Sequence, residues 1–186
     1  MTRKYYCYVD ETGQDTKGKF FLVSVVLIGA KPKEYLKSRL LKLEDRSGKK
    51  SLKWNGSSFE ARTDYLNGLL EIKELYRCLR FCYFKNSLDY SYLKACAIAR
   101  TLQGATGECK VTVLMHGLLK KKEQRIIPQV LRRSKIRFSK IRGLKKDDCF
   151  IRLADSLAGF LRDYVEEQNY TEVIYESLKK KGFIIE

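Results

Sequence analysis

Tyr8-Val9-Asp10-Glu11-Thr12-Gly13, followed shortly by Phe20-Phe21-Leu22-Val23-Ser24-Val25-Val26, has the pattern of two strands joined by a turn. Lys4–Val9 is rich in Tyr and Val and alternates, so it reads as a strand that ends at Asp10 and Glu11. Thr12–Gly18 is a polar turn with two glycines, and Lys19–Ile28 is a near-continuous apolar run suited to a buried strand. Together they predict an antiparallel hairpin. Successive strand side chains point to opposite faces, so only one of Asp10 and Glu11 can face a given helix. Taken alone, Asp10 also suits a turn, since Asp-x-x-Gly favours one.

Beyond the hairpin, helical spacing runs over Lys33–Glu44, and a polar loop over Arg46–Ser58 carries the only tryptophan, Trp54. Further helices are expected at Ser58–Lys73, Leu88–Leu102, Leu119–Arg132 and Asp147–Glu167, and strands at Tyr76–Phe84, Lys110–Met115 and Ile136–Ile141. The tail reads as a short helix. Two antiparallel strands followed by strands alternating with helices predict an α/β protein, a mixed sheet with helices packed on its faces. No linker-like tract divides the chain, so residues 1–186 read as a single domain.

The late helix carries a second signal. Phe150, Leu153, Leu157, Phe160, Leu161 and Tyr164 form a broad apolar face, while Asp148, Arg152, Asp155 and Arg162 form a narrow polar stripe. Asp155 sits among Ile151, Ala154, Ala158 and Gly159, small neighbours that let a helix lie close on a sheet. A desolvated carboxylate there needs a cation or several donors, and a buried salt bridge to Arg152 or another Arg is the structural alternative to a metal.

The opening hairpin, with its Asp-Glu-Thr-Gly strand end, and the segment Ile151-Arg152-Leu153-Ala154-Asp155-Ser156-Leu157-Ala158-Gly159 resemble two motifs of the domain-of-unknown-function 3800 family. The likeness spans nearly the whole chain and implies an RNase H-like fold. It also implies acidic residues that hold divalent metal, Mg or Mn, for phosphodiester hydrolysis. In such sites two ions about 3.5–4 Å apart activate water and stabilise the leaving oxygen. Carried over, Asp10 and Asp155 are catalytic metal ligands, with Glu11 and Asp148 as further metal candidates.

Two positions depart from that pattern. Where the family commonly has Val-x-x-x-Asp-Gly, this chain reads Val113-Leu114-Met115-His116-Gly117. Where many members carry Glu ahead of Lys-Trp, it reads Ser51-Leu52-Lys53-Trp54. Fewer carboxylates weaken a site for hard Mg²⁺. His116, the only histidine, is either a catalytic base or ligand better suited to Mn²⁺, or a filler in a decayed site.

The charge distribution points to the partner. The chain has 38 Lys and Arg against 22 Asp and Glu, a net charge of +16. Between Lys110 and Lys146 the sole acid is Glu123. Such an excess favours a polyanion, and nucleic acid, DNA or RNA, is expected at Lys120, Lys121, Lys122, Arg125, Arg132, Arg133 and Lys135, with Trp54 as a stacking surface. A solvated basic face is the plainer alternative. Apolar runs are too short or interrupted to span a bilayer, and Met1-Thr2-Arg3-Lys4-Tyr5 leads straight into a strand with no signal peptide. The six cysteines form no Cys-x-x-Cys pair and read as reduced core residues, so a cytoplasmic protein is expected. The expected function is a metal-dependent nuclease. The rivals are a non-cutting nucleic-acid binder and a scaffold subunit of a larger assembly.

Overall fold

A computed structural model describes residues 3–103, 109–144 and 148–185. The chain runs β1 (Arg3–Thr12), β2 (Phe20–Gly29), α1 (Lys33–Arg46), α2 (Phe59–Leu69), β3 (Leu79–Lys85) and α3 (Tyr90–Gln103). It continues through β4 (Cys109–His116), α4 (Lys121–Arg133), β5 (Phe138–Leu144), α5 (Cys149–Val165), α6 (Thr171–Lys180) and β6 (Ile184–Ile185). One six-stranded sheet has the order β5-β4-β1-β2-β3-β6. β1, β2 and β3 form an antiparallel meander, whereas β4 pairs parallel to β1 and β5 parallel to β4.

The alternation of β1 divides the molecule into two cores. Tyr8 faces the cluster built by α1, α2, α5 and α6, whose members include Leu36, Leu66, Phe150 and Leu178. Cys7 and Val9 face the cluster under α3 and α4, with Ile98, Ile127 and Leu131. β2 is buried along nearly its whole length because both of its faces are covered, which explains the unbroken apolar run.

Helix α5 is the central buttress and packs across β1 and β2. Ser24 donates from Oγ to the carbonyl oxygen of Ala154 at 2.8 Å, an anchor between strand and helix. Gly159 serves a neighbour other than the sheet: a Cβ there would lie 2.2 Å from Cδ1 of Trp54, so the missing side chain makes room for the indole. Trp54, 2% exposed, contacts Phe160 edge-on and donates from Nε1 to Asp163 at 2.8 Å. An indole so held has no free face for a base, which corrects the stacking role expected of Trp54.

Several expected boundaries shift. The helix expected to reach Lys73 stops at Leu69, and the following residues make a 3₁₀ turn at Lys73–Leu75. β5 starts at Phe138 and runs to Leu144, with a register shift against β4 between Val111 and Thr112. β6 is an added strand of two residues, too short to show an alternating pattern. The start expected for the last long helix, Asp147, lies outside the described residues, and α5 begins at Cys149. Among the described residues no helix is long and apolar enough to cross a membrane.

Candidate active site

Asp10 ends the buried part of β1 and is 6% exposed. It lies on the same side of the strand as Tyr8 and therefore toward α5. In register beside it on β2 is Ser24, the residue bonded to Ala154, and Asp155 is the next residue of α5. The two carboxylates thus lie on facing sides of the strand–helix interface, where the charge of Asp10 bears on Asp155. Burial raises the pKa of the Asp155 carboxyl, and the charge of Asp10 adds to the rise. The Trp54 amide, which donates to Asp155 Oδ2 at 2.9 Å, and the ammonium groups of Lys49 and Lys53 offset only part of this.

His116 closes the third side. It ends β4 on the same face of the sheet as Leu114, and its Nδ1 lies 3.4 Å from Asp10 Oδ1. That contact raises the imidazole pKa against the opposing effects of burial and of Lys53. The second oxygen contact of Asp10 is local: Oδ1 also accepts from the Glu11 amide at 2.9 Å. His116 and Asp155 share a narrow cleft with Ser51, Leu52, Lys53, Ile151 and Arg152.

The other acidic candidates are engaged elsewhere. Glu11 turns to the opposite face of the sheet, where its Oε1 accepts from Lys94 Nζ at 2.5 Å. Lys94 is 4% exposed and also donates to Glu123 at 2.6 Å, and the pair of carboxylates keeps it charged despite burial. Asp148 is the N-cap of α5, accepting from the amides of Phe150 at 2.9 Å and Ile151 at 3.4 Å. Neither joins Asp10 and Asp155, so both are corrected as metal candidates: one neutralises a buried lysine and the other satisfies a helix end.

Arg152 does not pair with Asp155. Its guanidinium grips Glu44 side-on, Nε to Oε1 at 2.8 Å and Nη2 to Oε2 at 2.6 Å. Lys49, wholly buried, lies 4.0 Å from the same carboxylate and donates to the Leu52 carbonyl at 3.0 Å. This network braces the loop before Trp54 beneath Asp155. Glu44 and Lys49 were not foreseen because an acid in an amphipathic helix and a lysine in a polar loop look like ordinary surface residues. Ser24 was also passed over, although a lone hydroxyl inside an otherwise apolar strand is a readable signal.

The basic residues divide between two places. Lys120, Lys121 and Lys122 stand at the start of α4, at the end of the sheet where Asp10 and His116 lie, with Arg125 one turn further along. Lys122 pairs with Asp89 at 2.8 Å. Arg132, Arg133 and Lys135 lie at the opposite end of α4, roughly 18 Å away at 1.5 Å per residue. α4 as a whole covers the face of the sheet away from Asp155.

Among the described residues no group of three or more His, Cys, Asp or Glu side chains is set to enclose a metal ion. The donor set at the site is two carboxylates with an imidazole beside one of them. Mg²⁺ is commonly held by one or two carboxylates, keeping waters and taking substrate phosphate oxygens. The chemistry of Asp10 and Asp155 therefore suits one Mg²⁺ or Mn²⁺ ion, while among the described residues no third carboxylate joins them to hold the second of the paired ions expected from the resemblance.

The strand order, the antiparallel meander and the parallel β4 and β5 define an RNase H-like α/β fold. No protein-family model matches the chain, and no curated protein matches it. Among solved structures it is similar to the ribonuclease H2 from Pyrococcus horikoshii OT3, with TM-score 0.49 and 16% identity over 90% of this chain and 78% of that one. It is also similar to a chain of the PCNA:RNase HII complex from Archaeoglobus fulgidus, with TM-score 0.44 and 18% identity over 95% and 77%. Both are distant likenesses, and the fold class rests on strand order and register.

Proposed function

We propose that this protein is a divalent-metal-dependent phosphodiesterase that cuts nucleic acid, a relative of the domain-of-unknown-function 3800 family, acting as one domain over residues 1–186 in the cytoplasm. The observation that carries the reading is the strand–helix register that sets Asp10 and Asp155, two sheltered carboxylates, facing each other, with the charge of Asp10 opposing ionisation of Asp155. Among the described residues Asp155 has no ion-pair partner, and Asp10 has only His116. Such a pair is relieved by a cation bound between them.

In this reading Asp10 and Asp155 hold one Mg²⁺ or Mn²⁺ ion. When bound, the ion supplies Lewis-acid stabilisation of the charge that builds on phosphoryl oxygens. His116 turns Nδ1 toward Asp10, which leaves Nε2 as the atom that accepts a proton from the attacking water. Lys53, exposed beside the cleft, attracts the phosphodiester, and the Trp54 amide fixes the Asp155 carboxylate. Lys120, Lys121, Lys122 and Arg125 extend the positive rim, whereas Arg132, Arg133 and Lys135, at the far end of α4, stand apart from it.

A second reading has its own support: His116 occupies the place of an acid and ion-pairs with Asp10, as in a protein that binds nucleic acid without cutting it. A cleavage assay separates the two. Wild type, His116→Asp, His116→Ala and Asp155→Asn are incubated with labelled single- and double-stranded DNA and RNA, with Mg²⁺ and with Mn²⁺. Cleavage by wild type that Asp155→Asn abolishes supports the phosphodiesterase. Cleavage gained only in His116→Asp marks a decayed site, and no cleavage by any of the four leaves the binder.

A further inference from the structure

The face of the sheet that carries Asp10 and His116 is covered by α5 over β1 and β2, but α5 reaches β4 only at its margin. The helix that packs on β5, α4, lies on the opposite face. The register fixes what stands on the open part. Lys140 is opposite Thr112, Arg142 opposite Leu114 and Leu144 opposite His116. Ile141, between the two cations, turns the other way and packs into the cluster under α3 and α4. Lys140 and Arg142 therefore share the face of His116, and both are exposed.

The row continues across the sheet. Lys110, at the start of β4, is exposed on that face and lies directly in register with the exposed Lys4 of β1. Lys4 Nζ sits 5.1 Å from the centre of the Tyr6 ring. Neither β4 nor β5 carries an acidic residue. Like charges directly opposite on neighbouring strands destabilise a sheet. Lysine on an edge strand can be explained as protection against edge pairing. Lys4 and Lys110 lie on interior strands, so that explanation does not reach them. A polyanion laid across the face accounts for both sets.

We propose that this open face is the track for a single strand of nucleic acid, its phosphates held by Lys4, Lys110, Lys140 and Arg142 and its path leading to Asp10 and Asp155. Lys140 and Arg142 are two strand residues apart, roughly 6.6 Å, comparable with the step between phosphates in an extended single strand. The track deepens the phosphodiesterase reading and rests on it for direction, while the surface itself is tested by binding alone.

The test is fluorescence anisotropy of a labelled oligothymidylate and a labelled oligouridylate, with chelator present so that nothing is cut. Lys140→Glu/Arg142→Glu should weaken binding by about tenfold or more. The neutral pair Lys140→Gln/Arg142→Gln should lower the log–log salt slope by roughly 1.4, two contacts at about 0.7 each. Lys110→Gln, on the neighbouring strand, should weaken binding independently, which guards against a folding defect in the β5 variants. Arg132→Glu/Arg133→Glu, at the far end of α4, should change affinity by less than about twofold. Absence of binding by wild type, an equal or greater loss in the α4 variant, or unchanged affinity in the β5 variants would overturn the track. If wild type binds through β5 but cuts nothing, the track stands and the phosphodiesterase reading fails. If wild type cuts while binding ignores the β5 and Lys110 substitutions, the track alone fails.

Discussion

Ser24 on β2 donates to the carbonyl oxygen of Ala154 on α5 at 2.8 Å, and this bond holds Asp155 over the end of β1 where Asp10 lies. Ser24 Oγ is also 3.2 Å from the Asp10 carbonyl oxygen, so a single buried hydroxyl touches the backbone of both acidic segments. The acidic pair is therefore built by strand register and one polar anchor.

Ser24→Ala should cost about 1 kcal/mol in urea unfolding, the net worth of a buried hydrogen bond. It should also weaken Mn²⁺ binding, because the helix loses its fixed seat on β2. Isothermal titration of Mn²⁺ beside the unfolding curve checks both effects in one preparation.

Asp155→Asn should stabilise the metal-free protein. The Asp155 carboxyl has a raised pKa in the fold, so the folded state binds this proton more tightly than the unfolded chain does. Its stabilising contribution is complete below an unfolded value of about 3.9 and is lost as pH rises through the folded value. At neutral pH the variant should melt a few degrees higher than wild type. Its advantage should shrink as pH falls through the carboxylate range. Added Mn²⁺ should raise the melting temperature of wild type but not of the variant.

His116→Gln should also differ from wild type in a pH-dependent way without metal, here to the variant's disadvantage. The imidazole pKa is raised by its bond to Asp10, so the ion pair stabilises the fold fully below about 6.5 and loses its effect as pH rises through the folded value. The variant should fall short of wild type at mildly acid pH and approach it at alkaline pH. Thermal melts across that range give the comparison.

Arg152→Leu should be the most damaging single change near the site, costing about 3–5 kcal/mol, because among the described residues Glu44 would keep a buried charge with Lys49 alone beside it. Replacing both partners with apolar residues should recover much of the loss. Chemical denaturation of the single and double variants measures the difference.

The hairpin, the mixed sheet and the polarity of α5 were legible because each rests on periodicity: alternation in Lys4–Val9, an unbroken run in Phe20–Ile28, and a polar stripe through apolar residues after Cys149. The same alternation showed that Asp10 and Glu11 part ways. Side-chain partners were not legible, since they depend on elements distant in sequence. Glu11 finds Lys94, Arg152 finds Glu44, and Trp54 finds Asp163 only once the sheet is assembled. Charge counting located a basic region between Lys110 and Lys146 but could not assign faces. Strand register does that, setting Lys140 and Arg142 beside His116 and α4 on the reverse of the sheet.

Asp10 and Asp155 are proposed to form one divalent-metal site. Anomalous diffraction from crystals soaked in Mn²⁺ tests it most directly. The expected result is a single manganese peak in contact with both carboxylates, absent from Asp155→Asn crystals. A wild-type map with no peak there, and with Asp10 still paired to His116, would contradict it.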